Sequence, residues 1–149
     1  MKTIKITLAT FALLAATSVV QAQTTPAGLW KTIDDDGKTE KSLVRITDTA
    51  GVLSGKVEKI FDANKQDAKC DECSDARKGQ PVVGMTLIQG VKANTGDPGL
   101  WDGGEILDPN NGKTYKLRLK PSEDGKKLEV RGYIGTPLFG RSQTWHRVE

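Results

Sequence analysis

Cys70 and Cys73 are the only thiols of this 149-residue chain, and their Cys-x-x-Cys spacing suits a structural disulfide, a redox dithiol or part of a metal clip. Tetrahedral zinc wants four ligands, and the sole histidine, His146, stands far off near the C-terminus, so no metal is expected. A redox dithiol keeps one thiol ionised at a helix N-terminus, whereas Asp71 and Glu72 between these sulfurs favour the neutral thiol. A disulfide that shapes its loop is the favoured reading, and a dithiol redox enzyme ranks third among the functions considered.

Other reactive constellations are thin. The run Asp34-Asp35-Asp36-Gly37 has clustered carboxylates, but it lacks the alternating ligands and terminal Glu of a calcium loop and reads as a solvated hairpin tip. His146 lies between Trp145 and Arg147 with no partner at readable spacing, and no Gly-x-Ser-x-Gly elbow supplies a nucleophile. Glu105 and Asp108 flank one strand and read as a solvated face. The expectation is a protein that is not an enzyme and carries no cofactor.

The segments around these residues begin with export. Lys2 and Lys5 precede an apolar run that closes on Val20-Gln21-Ala22, the pattern of a secretory signal peptide at residues 1–22. Residues 23–149 then form one domain in the periplasm or outside the cell, where two thiols pair. Removing Lys2 and Lys5 takes 22 basic side chains to 20 against 19 acidic ones, which argues against nucleic acid. No segment after residue 22 reaches the roughly eighteen apolar residues of a membrane span.

All 16 glycines and 6 prolines follow residue 22, so turns are frequent. Asp36-Gly37, Asn111-Gly112 and Asp124-Gly125 each signal a hairpin. Alternation is clearest where Tyr115, Leu117 and Leu119 oppose Lys116, Arg118 and Lys120, and again where Leu128, Val130 and Ile134 oppose Glu129, Arg131 and Tyr133. Strands are expected at 28–33, 41–47, 52–61, 82–91, 104–108, 114–120, 128–134 and 142–148, with a long polar connection at 62–80 that has room for a turn of helix. Eight short antiparallel strands favour a closed all-β barrel, just wide enough to be filled or to hold one small ligand.

Closure would set the first strand against the last, so Trp30 and Arg147 become neighbours and plug one end through a cation–π contact. A cavity open to solvent is expected near Trp101, Arg141 and the Cys70 to Cys73 loop, because inward positions such as Gly55 and Gly132 leave the interior underfilled. Trp101 and Trp145 would offer aromatic area there, and Arg141 would anchor an acidic headgroup or pair with a surface acid.

Gly28-Leu29-Trp30 with a late Arg resembles the calycin superfamily. A wider resemblance rests on Pro81-Val82-Val83-Gly84-Met85, on the stretch from Trp101-Asp102-Gly103-Gly104 to Asp108-Pro109, on Gly112-Lys113-Thr114-Tyr115, on Leu128 to Gly135, and on Gly140-Arg141-Ser142-Gln143-Thr144-Trp145. These look like a secreted bacterial family known as domain of unknown function twenty-one forty-seven, in which Cys-x-x-Cys before the Pro-Val-Val-Gly-Met strand is also common. The resemblance implies a lipocalin-like barrel exported by Gram-negative bacteria and binding a small hydrophobic molecule, with no established activity. The function expected is binding of a small apolar or amphipathic ligand, and the alternative is a non-catalytic structural or protein-interaction module of the cell envelope.

Overall fold

The alternation materialises as eight strands: β1 (Gly28–Ile33), β2 (Glu40–Thr49), β3 (Val52–Ile60), β4 (Thr86–Ala93), β5 (Trp101–Asp108), β6 (Lys113–Pro121), β7 (Lys127–Tyr133) and β8 (Gly140–Arg147). The computed structural model describes residues 24–149, so the expected signal segment at residues 1–22 lies outside the described residues. Each strand pairs antiparallel with the next, and β8 returns to β1 to close the barrel. Among the described residues no helix is long and apolar enough to cross a membrane.

Strict up-and-down order fixes which residues can meet. Odd-numbered strands run from one end, the closed end, toward the other, the open end, and even-numbered strands run back. The three Asx-Gly dipeptides turn the chain between β1 and β2, β5 and β6, and β6 and β7, with Gly37, Gly112 and Gly125 at positive φ. Two strands depart from the expected bounds by three residues or more, for local reasons. β4 begins at Thr86 because Val82 to Met85 close a turn, Met85 N–H to the Val82 carbonyl, with Gly84 at φ 87° and its N–H donating to the Val57 carbonyl. β5 begins three residues earlier than expected, at Trp101, because Gly103 at φ 77° bulges within the strand and shifts its register against β6.

The closed half of the barrel is filled. Leu53, Ile88, Val91, Leu117, Leu119 and Leu128 are all buried in one cluster, each contributing roughly 1.5–3 kcal/mol of burial. Gly55 does not leave a void, since a methyl there would lie 3.1 Å from Ile88, which already fills the space. Trp30, fully buried, closes the end: its Nε1 donates to the Pro26 carbonyl at 2.7 Å, and the Arg147 guanidinium lies 4.2 Å from the ring centroid. Arg147 donates through all three nitrogens to backbone carbonyls, those of Gly125, Ala27 and Thr25. Burial pulls its pKa below the ordinary arginine value. Gly28, at φ 141°, leaves no room for a methyl beside Arg147 and the Glu149 carbonyl, which gives the Gly-x-Trp pattern its physical reason.

The closing seam is short. The ladder pairs Trp30 with Arg147 and Lys31 with His146 and extends no further toward the open end, so residues 140–145 of β8 pair only with β7. Side chains bridge the gap there: Asp35, at the β1–β2 tip, forms an ion pair with Arg141 at 2.8 Å and accepts from Gln143 Nε2 at 2.9 Å.

The long connection between β3 and β4 is ordered. It opens with a 3₁₀ turn, Ala63–Lys65, whose N-cap Asp62 accepts from the Asn64 N–H. Lys69 and Pro81 then form an isolated bridge, extended by Cys70 N–H to the Gln80 carbonyl and Val82 N–H to the Ala68 carbonyl. Cys70 and Cys73 form a disulfide, and both are buried. The loop lies against the β5–β6 turn so closely that a methyl on Gly112 would overlap the Glu72 carbonyl.

Candidate functional site: a cavity at the open end

Because the closed half is packed, the open space concentrates at the other end, in a cavity of about 630 Å³. Val44, Val57, Leu87, Ile106, Val130 and Trp145 form its apolar wall. Its rim carries Asp34, Asp35, Lys41, Lys65, Lys69 and Arg141. Volume and lining have the form of a small-molecule site, apolar within and polar at a few points.

Alternation supplies the wall. Val44 on β2, Val57 on β3 and Val130 on β7 occupy inward positions next to polar outward neighbours. Trp145, inward on β8 and 3% exposed, donates from Nε1 to Gln143 Oε1 at 3.1 Å. Gln143 in turn donates to Asp35, and Asp35 pairs with Arg141, so one chain of polar contacts climbs from the wall to the rim. Arg141 is 68% exposed, and at that exposure the ion pair is worth at most about 1 kcal/mol, so it is readily exchanged. Beside it, the Asp35 N–H and then Lys41, 3.2 Å away, hold the Asp34 carboxyl below the usual range. Asp36 is tied into its own turn, accepting from the Thr39 hydroxyl and from the N–H groups of Thr39 and Lys38, which lowers its pKa to about 2.

The structure brings Arg141 and Trp145 to one cavity but not Trp101. Trp101, 9% exposed, opens β5 and pairs with Ala93 and Leu119 in the closed half. The reason is parity: β5 starts at the closed end and β8 at the open end, so residues opening these two strands lie at opposite ends. The Cys70 to Cys73 loop borders the cavity through Ala68, Lys69 and Val82 rather than through its sulfurs. His146 is exposed and pairs with Lys31 and Lys127, while Asp108 accepts from the Asn110 N–H in the β5–β6 turn. Arg131 pairs with Arg118 on β6, and Tyr133, with the Arg118 guanidinium 5.9 Å from its ring centroid, borders the cavity mouth; Ile134, expected to point inward with Leu128 and Val130, lies past the end of β7 and is exposed.

A family model described as an uncharacterized protein conserved in bacteria, DUF2147, matches residues 28–147, the entire barrel. The chain belongs to this family. Among solved structures, protein HP1028 from the human pathogen Helicobacter pylori, described as belonging to the lipocalin family, is similar over 83% of this chain and 82% of its own, with a TM-score of 0.70 and 18% identity. At that identity the likeness is one of fold, and the family member described here has a lipocalin-like barrel. No curated protein matches the chain.

Several rim residues were not singled out from the sequence. Lys65 and Lys69 come from the long connection, whose course over the mouth has no periodic signal. Asp35 and Gln143 were within reach of the sequence: Asp35 sits beside an Asx-Gly tip, and Gln143 falls on the same face of β8 as Arg141 and Trp145.

Proposed function

We propose that this protein binds a small apolar or amphipathic molecule in its open-end cavity, without catalysing a reaction on it, in the periplasm or outside the cell. The observation that carries the reading is the cavity itself: about 630 Å³ with an apolar wall ending at a rim with four cations, Lys41, Lys65, Lys69 and Arg141. An acyl chain would lie against Val44, Val57, Val130 and Trp145, and an acidic head would displace Asp35 from Arg141. Trp145 then reports binding directly. Export is supported by the N-terminal pattern at residues 1–22 and by the disulfide, and both sulfurs are buried away from the solvent a redox partner would need.

Fatty acids of increasing length, titrated against tryptophan fluorescence, test the reading. Affinity should rise with chain length, by up to about fourfold per buried methylene, and fall in Arg141→Ala. The absence of a saturable signal with any amphipathic ligand would move the assignment to a structural or protein-interaction module.

A further inference from the structure

The described residues expose four large hydrophobic side chains, and three of them, Ile134 (66% exposed), Leu138 (80%) and Phe139 (70%), stand on one short connection at the open end. This β7–β8 loop, residues 134–139, is held from beneath. Arg131 Nε donates to the Pro137 carbonyl at 2.7 Å, its Nη2 reaches the Leu138 carbonyl, and Lys116 Nζ donates to the Gly135 carbonyl at 3.3 Å. Two cations from the outer barrel wall thus satisfy the loop backbone while its apolar side chains remain in solvent. Ile134 and Phe139 also line the cavity mouth.

Charge around the loop is one-sided. Residues 113–118 and 131–142 contain Lys113, Lys116, Arg118, Arg131 and Arg141 and no carboxylate. The acids beside these segments are already engaged: Asp35 pairs with Arg141, Asp34 with Lys41, Glu105 lies across the β5–β6 ladder from Lys116 and accepts from Gln89, and Asp108 lies across from Lys113 and accepts from the Asn110 N–H. Apolar side chains projecting beside cations of β6, β7 and β8, with Tyr133 at the foot of the loop and Tyr115 next to Lys116, match the chemistry of an anionic lipid–water interface. A protein partner suits this surface less, because a convex six-residue tip offers far less than the roughly 800 Å² per partner of a standard protein interface.

We propose that the β7–β8 loop docks the open end on an anionic phospholipid surface, with Ile134, Leu138 and Phe139 entering the interface and the surrounding cations meeting phosphate. The inference rests on the loop and its charges, not on the cavity being occupied. Docked in this way, the mouth faces the acyl chains, and a lipid-derived ligand passes between bilayer and barrel without crossing water.

Sedimentation with vesicles tests the docking. The protein should pellet with phosphatidylcholine vesicles containing phosphatidylglycerol, weakly or not at all with phosphatidylcholine alone, and less as salt is added. Leu138→Glu with Phe139→Glu should reduce pelleting about tenfold or more, and Lys116→Ala about fivefold, the loss expected for one cation near an anionic surface. Leu138→Trp, a milder change at an exposed site, should shift its emission to the blue on phosphatidylglycerol vesicles and be quenched by brominated acyl chains. Fatty-acid titration of Leu138→Glu alone, at a residue outside the cavity lining whose loss should by itself weaken pelleting, separates the two proposals, since cavity binding should survive loss of docking. Failure to pellet with anionic vesicles, equal pelleting of the double variant, or an unshifted Leu138→Trp spectrum would each overturn the docking. Capture of an envelope protein by the loop with no vesicle binding would overturn it as well.

Discussion

At the closed end an indole and a guanidinium stack at 4.2 Å, and every nitrogen of Arg147 is committed to a backbone carbonyl. At the open end the same two residue types, Trp145 and Arg141, stay apart and are linked only through the side chains of Gln143 and Asp35. The difference lies in what answers the cation. Backbone carbonyls cannot leave, and removing Arg147 strands three of them, whereas the Asp35 carboxylate on an exposed hairpin tip competes with water and with any incoming anion. Paired residue types therefore do not define a role; what surrounds them does.

Trp30→Ala is the most direct way to break this contrast. It should cost about 3–5 kcal/mol in chemical denaturation, as a large-to-small change in a packed core, and leave the chain-length dependence of ligand binding unchanged. A loss below about 0.5 kcal/mol would mean that the closed end is no better packed than a surface. Inserting the same bulk at each end sharpens the comparison. Val91→Phe, in the filled half, should cost about 1–3 kcal/mol, whereas Val130→Phe, facing the cavity, should cost less than about 1 kcal/mol and abolish ligand binding.

Replacing both cysteines by serine should cost about 2 kcal/mol or less, because so small a loop restricts little of the unfolded chain. Hydrogen exchange should then rise over residues 66–82 and in the β5–β6 turn that Glu72 touches, while the closed half stays protected. The smallest effect is on acid stability. Asp36 has its pKa lowered from 3.8 to about 2, so its contribution is complete above 3.8 and is lost as pH falls through 2. Asp36→Asn should flatten the fall of melting temperature with acidification across that window, and an unchanged slope would show that the turn hydrogen bonds do not persist in solution.

Much of the barrel was legible because its signals are local. Asx-Gly turns and two-residue alternation place Leu117, Leu119, Leu128 and Val130 without knowledge of anything distant, and closure then brings Trp30 to Arg147. Strand parity was equally available and would have kept Trp101 apart from Arg141. The cavity's limits were not available, since Ile88 fills the space beside Gly55 through a register irregularity between β3 and β4 that no pattern announces. Nor was the path of residues 62–80, whose rim lysines are placed by a bridge between Lys69 and Pro81 and by contact with a hairpin some forty residues away.

The short seam between β1 and β8 gives this barrel something full closure removes. Where the ladder stops at Lys31 and His146, residues 140–143 of β8, past the end of β1 at Ile33, turn one row of N–H and C=O groups away from β7 with no strand across from them. Such a row is a template on which a strand from another copy can add, the first step of sheet-based self-association. Arg141 stands on that edge with Asp35 drawn over it, and a charged side chain on an exposed edge is a common natural deterrent to edge-to-edge growth. The same ion pair that marks the rim thus also guards the molecule against its own copies.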